Sequence, residues 1–127
     1  MQNYILPTLT VGNALAAIEF YQKAFGAVVV AGNTDPDGST VAELSIEGAG
    51  IIVADASPEH GNTAPEANRI SVRLGLMTSD PDALAARAIA AGIHTVYAVE
   101  DQPYGYRLGH FIDPFGHHWE IGKRLNG

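Results

Sequence analysis

The chain has no cysteine, which excludes disulfides and thiolate chemistry and favours an intracellular setting. Basic residues are scarce. Seven Lys and Arg stand against fourteen Asp and Glu, for a formal net charge of −7. Nucleic-acid binding needs clustered Lys and Arg, so no nucleic-acid partner is expected. No apolar run approaches ~20 residues, so no membrane partner or span is expected. The opening Met1-Gln2-Asn3-Tyr4 lacks a basic region followed by an apolar core. No signal peptide is read there, and a cytoplasmic location is expected. A Gly-rich phosphate loop and a nucleophile elbow are also missing. What is present is 127 residues at 46% hydrophobic content, enough for one domain with a real core. The acidic balance suits solubility and permits a cationic ligand.

The chain punctuates itself twice in the same way. Tyr4 to Val11 is apolar and β-rich, and Asn13 then offers an N-cap oxygen. Leu15, Ile18, Gln22 and Phe25 follow at helical spacing, as do Ile18, Tyr21 and Phe25, and Gly26 closes the helix, with Phe20, Tyr21 and Phe25 expected to pack on the sheet. Strands are expected over Ala27 to Ala31, Val41 to Ile46 and Ile51 to Asp55, with Asp37-Gly38 as hairpin chemistry. The second half repeats the order. Ile70 to Met77 reads as a strand, and Ser79 or Asp80 caps a helix with Pro81 near its first turn. Leu84, Ala88 and Ala91 form the apolar stripe, Gly92 stops it, and three strands follow at His94 to Val99, Tyr106 to Ile112 and His117 to Ile121. The helix-ending glycines lie 66 residues apart and the caps 67 apart. The starts of the two last strands, Ile51 and His117, also lie 66 apart. The expected fold is α+β: two βαβββ modules whose curved mixed sheets surround a cavity, with helices on the outer faces. Module 1 covers about residues 1–55, a polar linker about 56–69, and module 2 about 70–127. Modules that pair across chains would make a symmetric homodimer.

Chemistry has its address in Gln102 to Ile121. Asp113-Pro114-Phe115-Gly116 reads as a tight turn between two strands. The second strand places His118 and Glu120 on one face and Trp119 and Ile121 on the other. One face is suited to a ligand and the other to a core.

Two motifs carry a resemblance: A-I-E-F-Y-Q-K-A-F-G-A from Ala17 to Ala27, and P-Y-G-Y-R-L-G-H-F-I-D-P-F-G-H-H-W-E-I from Pro103 to Ile121. With the duplication, they make the chain resemble the vicinal oxygen chelate superfamily of glyoxalase I, extradiol dioxygenases and fosfomycin- and bleomycin-resistance proteins. The second motif is especially similar to the PhnB-like group. The resemblance implies one metal ligand on the first and fourth strands of each module. Glu120 matches the last of these positions. The others fall at Leu6, at Ala54 and near Val72, none of which carries a donor atom. One carboxylate does not hold a divalent ion. Asp55, His110 and His118 could donate in a rearranged site, although alternation turns Asp55 to the wrong face.

The implied function is metal-independent binding of a small organic molecule, a cationic one being suited to the acidic chain, as in the antibiotic-sequestering relatives. The alternative is a divalent-metal lyase, isomerase or dioxygenase using Glu120 as its catalytic or ligating carboxylate. The candidate ligand-binding residues are Glu120, His118, Arg107, Tyr104, Tyr106 and His110. Glu120 would bind a cationic group, act as a base, or pair with Arg107 or Arg73. His118 with Glu120 could shuttle a proton. Arg107 would meet an anion or form an ion pair with Glu100, Asp101 or Asp113. Tyr104 and Tyr106 could stack on a planar ligand.

Overall fold

The computed structural model describes residues 1–126. The chain divides into two compact units. The first comprises Met1–Gln22 with Gly26–Ala64, and the second comprises Lys23–Phe25 with the chain from Pro65 onward.

In the first unit, β1 (Thr8–Val11) leads into α1 (Ala14–Phe25), and β2 (Val28–Thr34), β3 (Thr40–Ile46) and β4 (Ala49–Asp55) follow. The four strands form one mixed sheet in the order β1-β4-β3-β2. β1 runs parallel to β4, and the other neighbours are antiparallel. Asn13 caps α1 as its sequence suggests, its side chain accepting the Ala16 N–H at 3.1 Å. Gly26 ends the helix in the left-handed region at φ 69°, where a side chain would be strained. Asp55, the last residue of β4, accepts the Ala14 N–H at 2.7 Å and the Thr40 N–H at 2.8 Å. One carboxylate thus ties the helix start and the start of β3 to the end of β4.

The second unit repeats the plan. β5 (Arg73–Met77), α2 (Pro81–Ala91), β6 (His94–Asp101), β7 (Tyr106–Ile112) and β8 (His118–Arg124) give a sheet in the order β5-β8-β7-β6. β5 is parallel to β8. The Asp80 side chain accepts the Ala83 N–H, and Gly92 closes α2. A single 3-10 turn, Pro58–His60, lies in the segment expected to link the modules.

The turn between β7 and β8 is built around buried Asp113. Its backbone accepts from the Gly116 N–H at 3.1 Å, and Gly116 has φ 93°. Its Oδ1 accepts the Phe115 and His117 N–H groups, and its Oδ2 accepts the Trp119 indole N–H at 2.9 Å. Trp119 is buried, as expected, with its ring 4.7 Å from that of Phe25. No helix is long and apolar enough to cross a membrane among the described residues.

Three expectations need correction. The first strands are shorter than expected: Tyr4 is exposed and lies before β1, and Val72, 66% exposed, lies before β5. β2 begins at Val28 and runs on to Thr34. The buried face of α1 is not the stripe through Leu15, which is 63% exposed. It is Ala14, Ala17, Phe20, Tyr21, Ala24 and Phe25, so the expected packing of Phe20, Tyr21 and Phe25 holds and Leu15 is the residue that turns outward. α2 likewise buries Pro81, Ala85 and Ala88 rather than Leu84 and Ala91. Small residues on the inward face let a helix lie close to its neighbours, so hydrophobicity alone draws Leu15 and Leu84 onto a face that alanines hold.

Candidate functional site

Helix α2 packs along β6, β7 and β8 and covers the face that carries Arg107, Phe111 and Trp119. The opposite face is set by cross-strand register. Arg73 lies beside His118 and Gly75 beside Glu120. His110 and Ile112 lie opposite Glu120 and His118, and Tyr97 lies opposite His110. Residues paired across strands share a face. Arg73, Tyr97, His110, His118 and Glu120 therefore gather on one side of the sheet.

They interact there. The Arg73 Nε lies 3.4 Å from the Glu120 Oε1. His110 Nε2 and His118 Nδ1 share a hydrogen bond at 2.9 Å, and which ring donates depends on the tautomers. The Tyr97 ring meets His110 edge-on at 5.7 Å. Burial holds the His110 imidazole below its ordinary range, with His118 adding to the effect. Burial, and then the neighbouring Tyr104, pushes the Tyr97 phenol up. Near neutral pH, His110 is thus an uncharged ring and Tyr97 a hydroxyl donor.

Of the residues singled out in the sequence, Glu120, His118 and His110 come together, and Tyr104 stands beside Tyr97. Tyr106 lies 6.4 Å from the Tyr104 ring and is engaged by Arg124, whose guanidinium sits 5.8 Å over the Tyr106 ring. Arg107 is elsewhere. It faces α2, where its Nε and Nη2 grip both Asp82 oxygens at 2.9 and 2.6 Å while Nη1 reaches Asp101 at 3.1 Å. That paired guanidinium holds the Asp82 carboxyl below its usual range. Asp101 was among the partners expected for an Arg107 ion pair.

Two residues of the cluster were not put forward as site residues from sequence. Tyr97 is one. Arg73, considered only as a partner for Glu120, is the other. The signal for Arg73 was available: Leu6 precedes its cap Asn13 by seven residues, and Arg73 precedes its cap Asp80 by seven. The cap alignment therefore points to Arg73, one residue beyond Val72. A one-residue slip exchanges the faces of a strand, which is why Val72 is no counterpart to Leu6.

A metal set does not fit these residues. On β4, Ile52 and Ala54 share a face and lack donor atoms, as does Leu6. Glu120 faces a guanidinium, and Asp55 is held by two backbone N–H groups. Among the described residues, no three His, Asp or Glu side chains converge in a metal-holding arrangement. What the cluster can do is offer N–H and O–H donors around one carboxylate, and pass a proton between two imidazoles.

Comparison with known proteins agrees with this architecture. TioX from Micromonospora sp. ML1 superposes with a TM-score of 0.77 at 22% identity, over 98% of this chain and all of that one. A genomically encoded fosfomycin resistance protein, FosX, from Listeria monocytogenes gives 0.74 at 18% identity, over 99% of this chain and 96% of that one. Identities this low speak for the fold alone. The uncharacterized protein Mb0911c of Mycobacterium bovis is 39% identical over 122 residues, which is 92% of this chain and 80% of that protein. The model of the Glyoxalase/Bleomycin resistance protein/Dioxygenase superfamily matches residues 2–121, and the chain belongs to that superfamily.

Proposed function

We propose that the protein binds a small organic molecule without a divalent metal, as a PhnB-like member of its superfamily. The ligand lies on the face formed by Arg73, Tyr97, His110, His118 and Glu120. The observation that carries this reading is the Arg73–Glu120 ion pair. The one carboxylate that matches a family ligand position is matched by a fixed positive charge, and a divalent cation there would face repulsion from the guanidinium. The donorless side chains of Leu6, Ile52 and Ala54 support the same conclusion. The protein acts in the cytoplasm as a homodimer.

Elemental analysis of the purified protein, with Glu120→Ala as control, tests the absence of a metal. The expected result is metal well below one equivalent in both proteins. Stoichiometric Zn, Ni, Mn or Fe in the wild type, lost in the variant, would return the chain to the alternative of a metal-dependent lyase, isomerase or dioxygenase. Thermal unfolding against a panel of small metabolites and antibiotics tests binding. A ligand present at 100 times its Kd adds ~2.7 kcal/mol of stability. Sedimentation velocity tests the dimer, and a single monomeric species would refute it.

A further inference from the structure

The charge of the ligand can be read from the exposure and chemistry of the same face; this inference rests on the binding reading above. Within the ion pair, the Arg73 side chain is 55% exposed and the Glu120 side chain 22%. An incoming molecule therefore meets the cation first. The closest approach of Arg73 to Glu120 is through Nε, and Nη1 and Nη2 form the flat, end-on pair of donors of the guanidinium. That pair matches the two oxygens of a carboxylate in a way a point charge does not.

The neighbours have the same sense. Tyr97, partly exposed, presents an O–H that its surroundings keep protonated. The hydrogen bond between His110 and His118 ties up one nitrogen of each ring. The more exposed charge of this face is thus the Arg73 guanidinium, and the less exposed Glu120 carboxylate serves as its counterion. The walls are flat: Tyr97 meets His110 at 5.7 Å, and Tyr104, 59% exposed, stands next to Tyr97.

We infer that the ligand is a planar organic carboxylate, its oxygens on Nη1 and Nη2 of Arg73 and its ring beside Tyr97 and Tyr104. The acidic balance of the whole chain suggests a cation, but that charge is distributed over the surface, whereas recognition depends on the groups within contact distance.

Three probes of one shape test this: benzoate, benzamide and benzamidine, which are anionic, neutral and cationic. Each is titrated into the isotope-labelled protein, and the NMR signals of the Arg73 Nε–H and of the β5 and β8 amides are followed. Benzoate is expected to move these signals in a saturable way. Benzamide should bind about tenfold more weakly or worse, since it loses the charge-assisted pair, and benzamidine should not bind. Arg73→Gln should weaken benzoate by about tenfold or more. Arg73→Lys, which keeps the charge and loses the flat fork, should fall between the two. Amide dispersion reports whether each variant is folded, and should Arg73→Gln fail to fold, Arg73→Lys decides.

Benzoate binding that ignores both Arg73 variants would overturn the inference. So would benzamidine binding at the same signals and losing affinity in Glu120→Gln, although that outcome would leave small-molecule binding intact. If none of the three probes moves the β5 and β8 signals, the inference fails, while the binding reading stands or falls on the thermal panel.

Discussion

Asp55 on β4 and Glu120 on β8 stand on the fourth strands of the two units, and their carboxylates do different work. Asp55 accepts two backbone N–H groups, those of Ala14 and Thr40. Glu120 is paired with a side chain, Arg73. In the second unit the backbone-holding task falls to Asp113, whose carboxylate gathers the Phe115 and His117 N–H groups and the Trp119 indole. A carboxylate engaged by the main chain belongs to the fold, because moving it breaks the chain path. One engaged by a flexible, half-exposed arginine can exchange partners, and this separates a structural acid from a site acid.

Several substitutions would break or sharpen that contrast. Asp113→Ala has the largest expected effect. It strips three donors of a buried acceptor and should lower stability by about 3 kcal/mol or more, measured by urea unfolding. Asp55→Ala should follow at roughly 2 kcal/mol, since it removes two hydrogen bonds to a carboxylate and the restraint on the start of α1. A loss no larger than that of Glu120→Gln would erase the distinction.

The next effect is one of pH. The folded-state pKa of His110 is lowered from 6.5, chiefly by burial. Between the folded and unfolded values the unfolded chain binds more protons. Stability from this group is therefore complete above pH 6.5 and declines as pH falls through 6.5 toward the lower folded value. Unfolding on both sides of that pH should show the decline in the wild type and a weaker one in His110→Gln. Glu120→Gln should change stability least, within about 1 kcal/mol, because its partner is half in solvent. Arg107→Gln should leave benzoate binding untouched, since Arg107 faces α2.

The βαβββ order was legible because its punctuation is local. Asn13, Gly26, Asp80, Gly92 and the Asp113–Gly116 turn act through their own neighbours in sequence. Glu120, His118 and His110 were legible because strand alternation holds across β7 and β8 without interruption. Tyr97 was not, because the register of β6 shifts between Thr95 and Tyr97. A bulge breaks the count of two, so the face of a residue beyond it cannot be obtained by counting. Arg73 was missed for a related reason. The glycines and the caps gave repeat offsets of 66 and 67 residues, and one residue decides between an exposed valine and the partner of Glu120. The helix faces were misjudged where alanine, rather than leucine, occupies the inward position.

The bond between His110 and His118 has a final consequence. It joins Nε2 of one ring to Nδ1 of the other, so the two outer nitrogens are His110 Nδ1 and His118 Nε2. If His110 supplies the bridging proton, its Nδ1 accepts and His118 Nε2 donates. If His118 supplies it, both senses reverse. Moving the bridging proton, with a matching exchange at the outer nitrogens, inverts the polarity of this part of the face while every heavy atom stays in place. The same wall can therefore read a hydroxyl or a carbonyl on a bound molecule with equal ease.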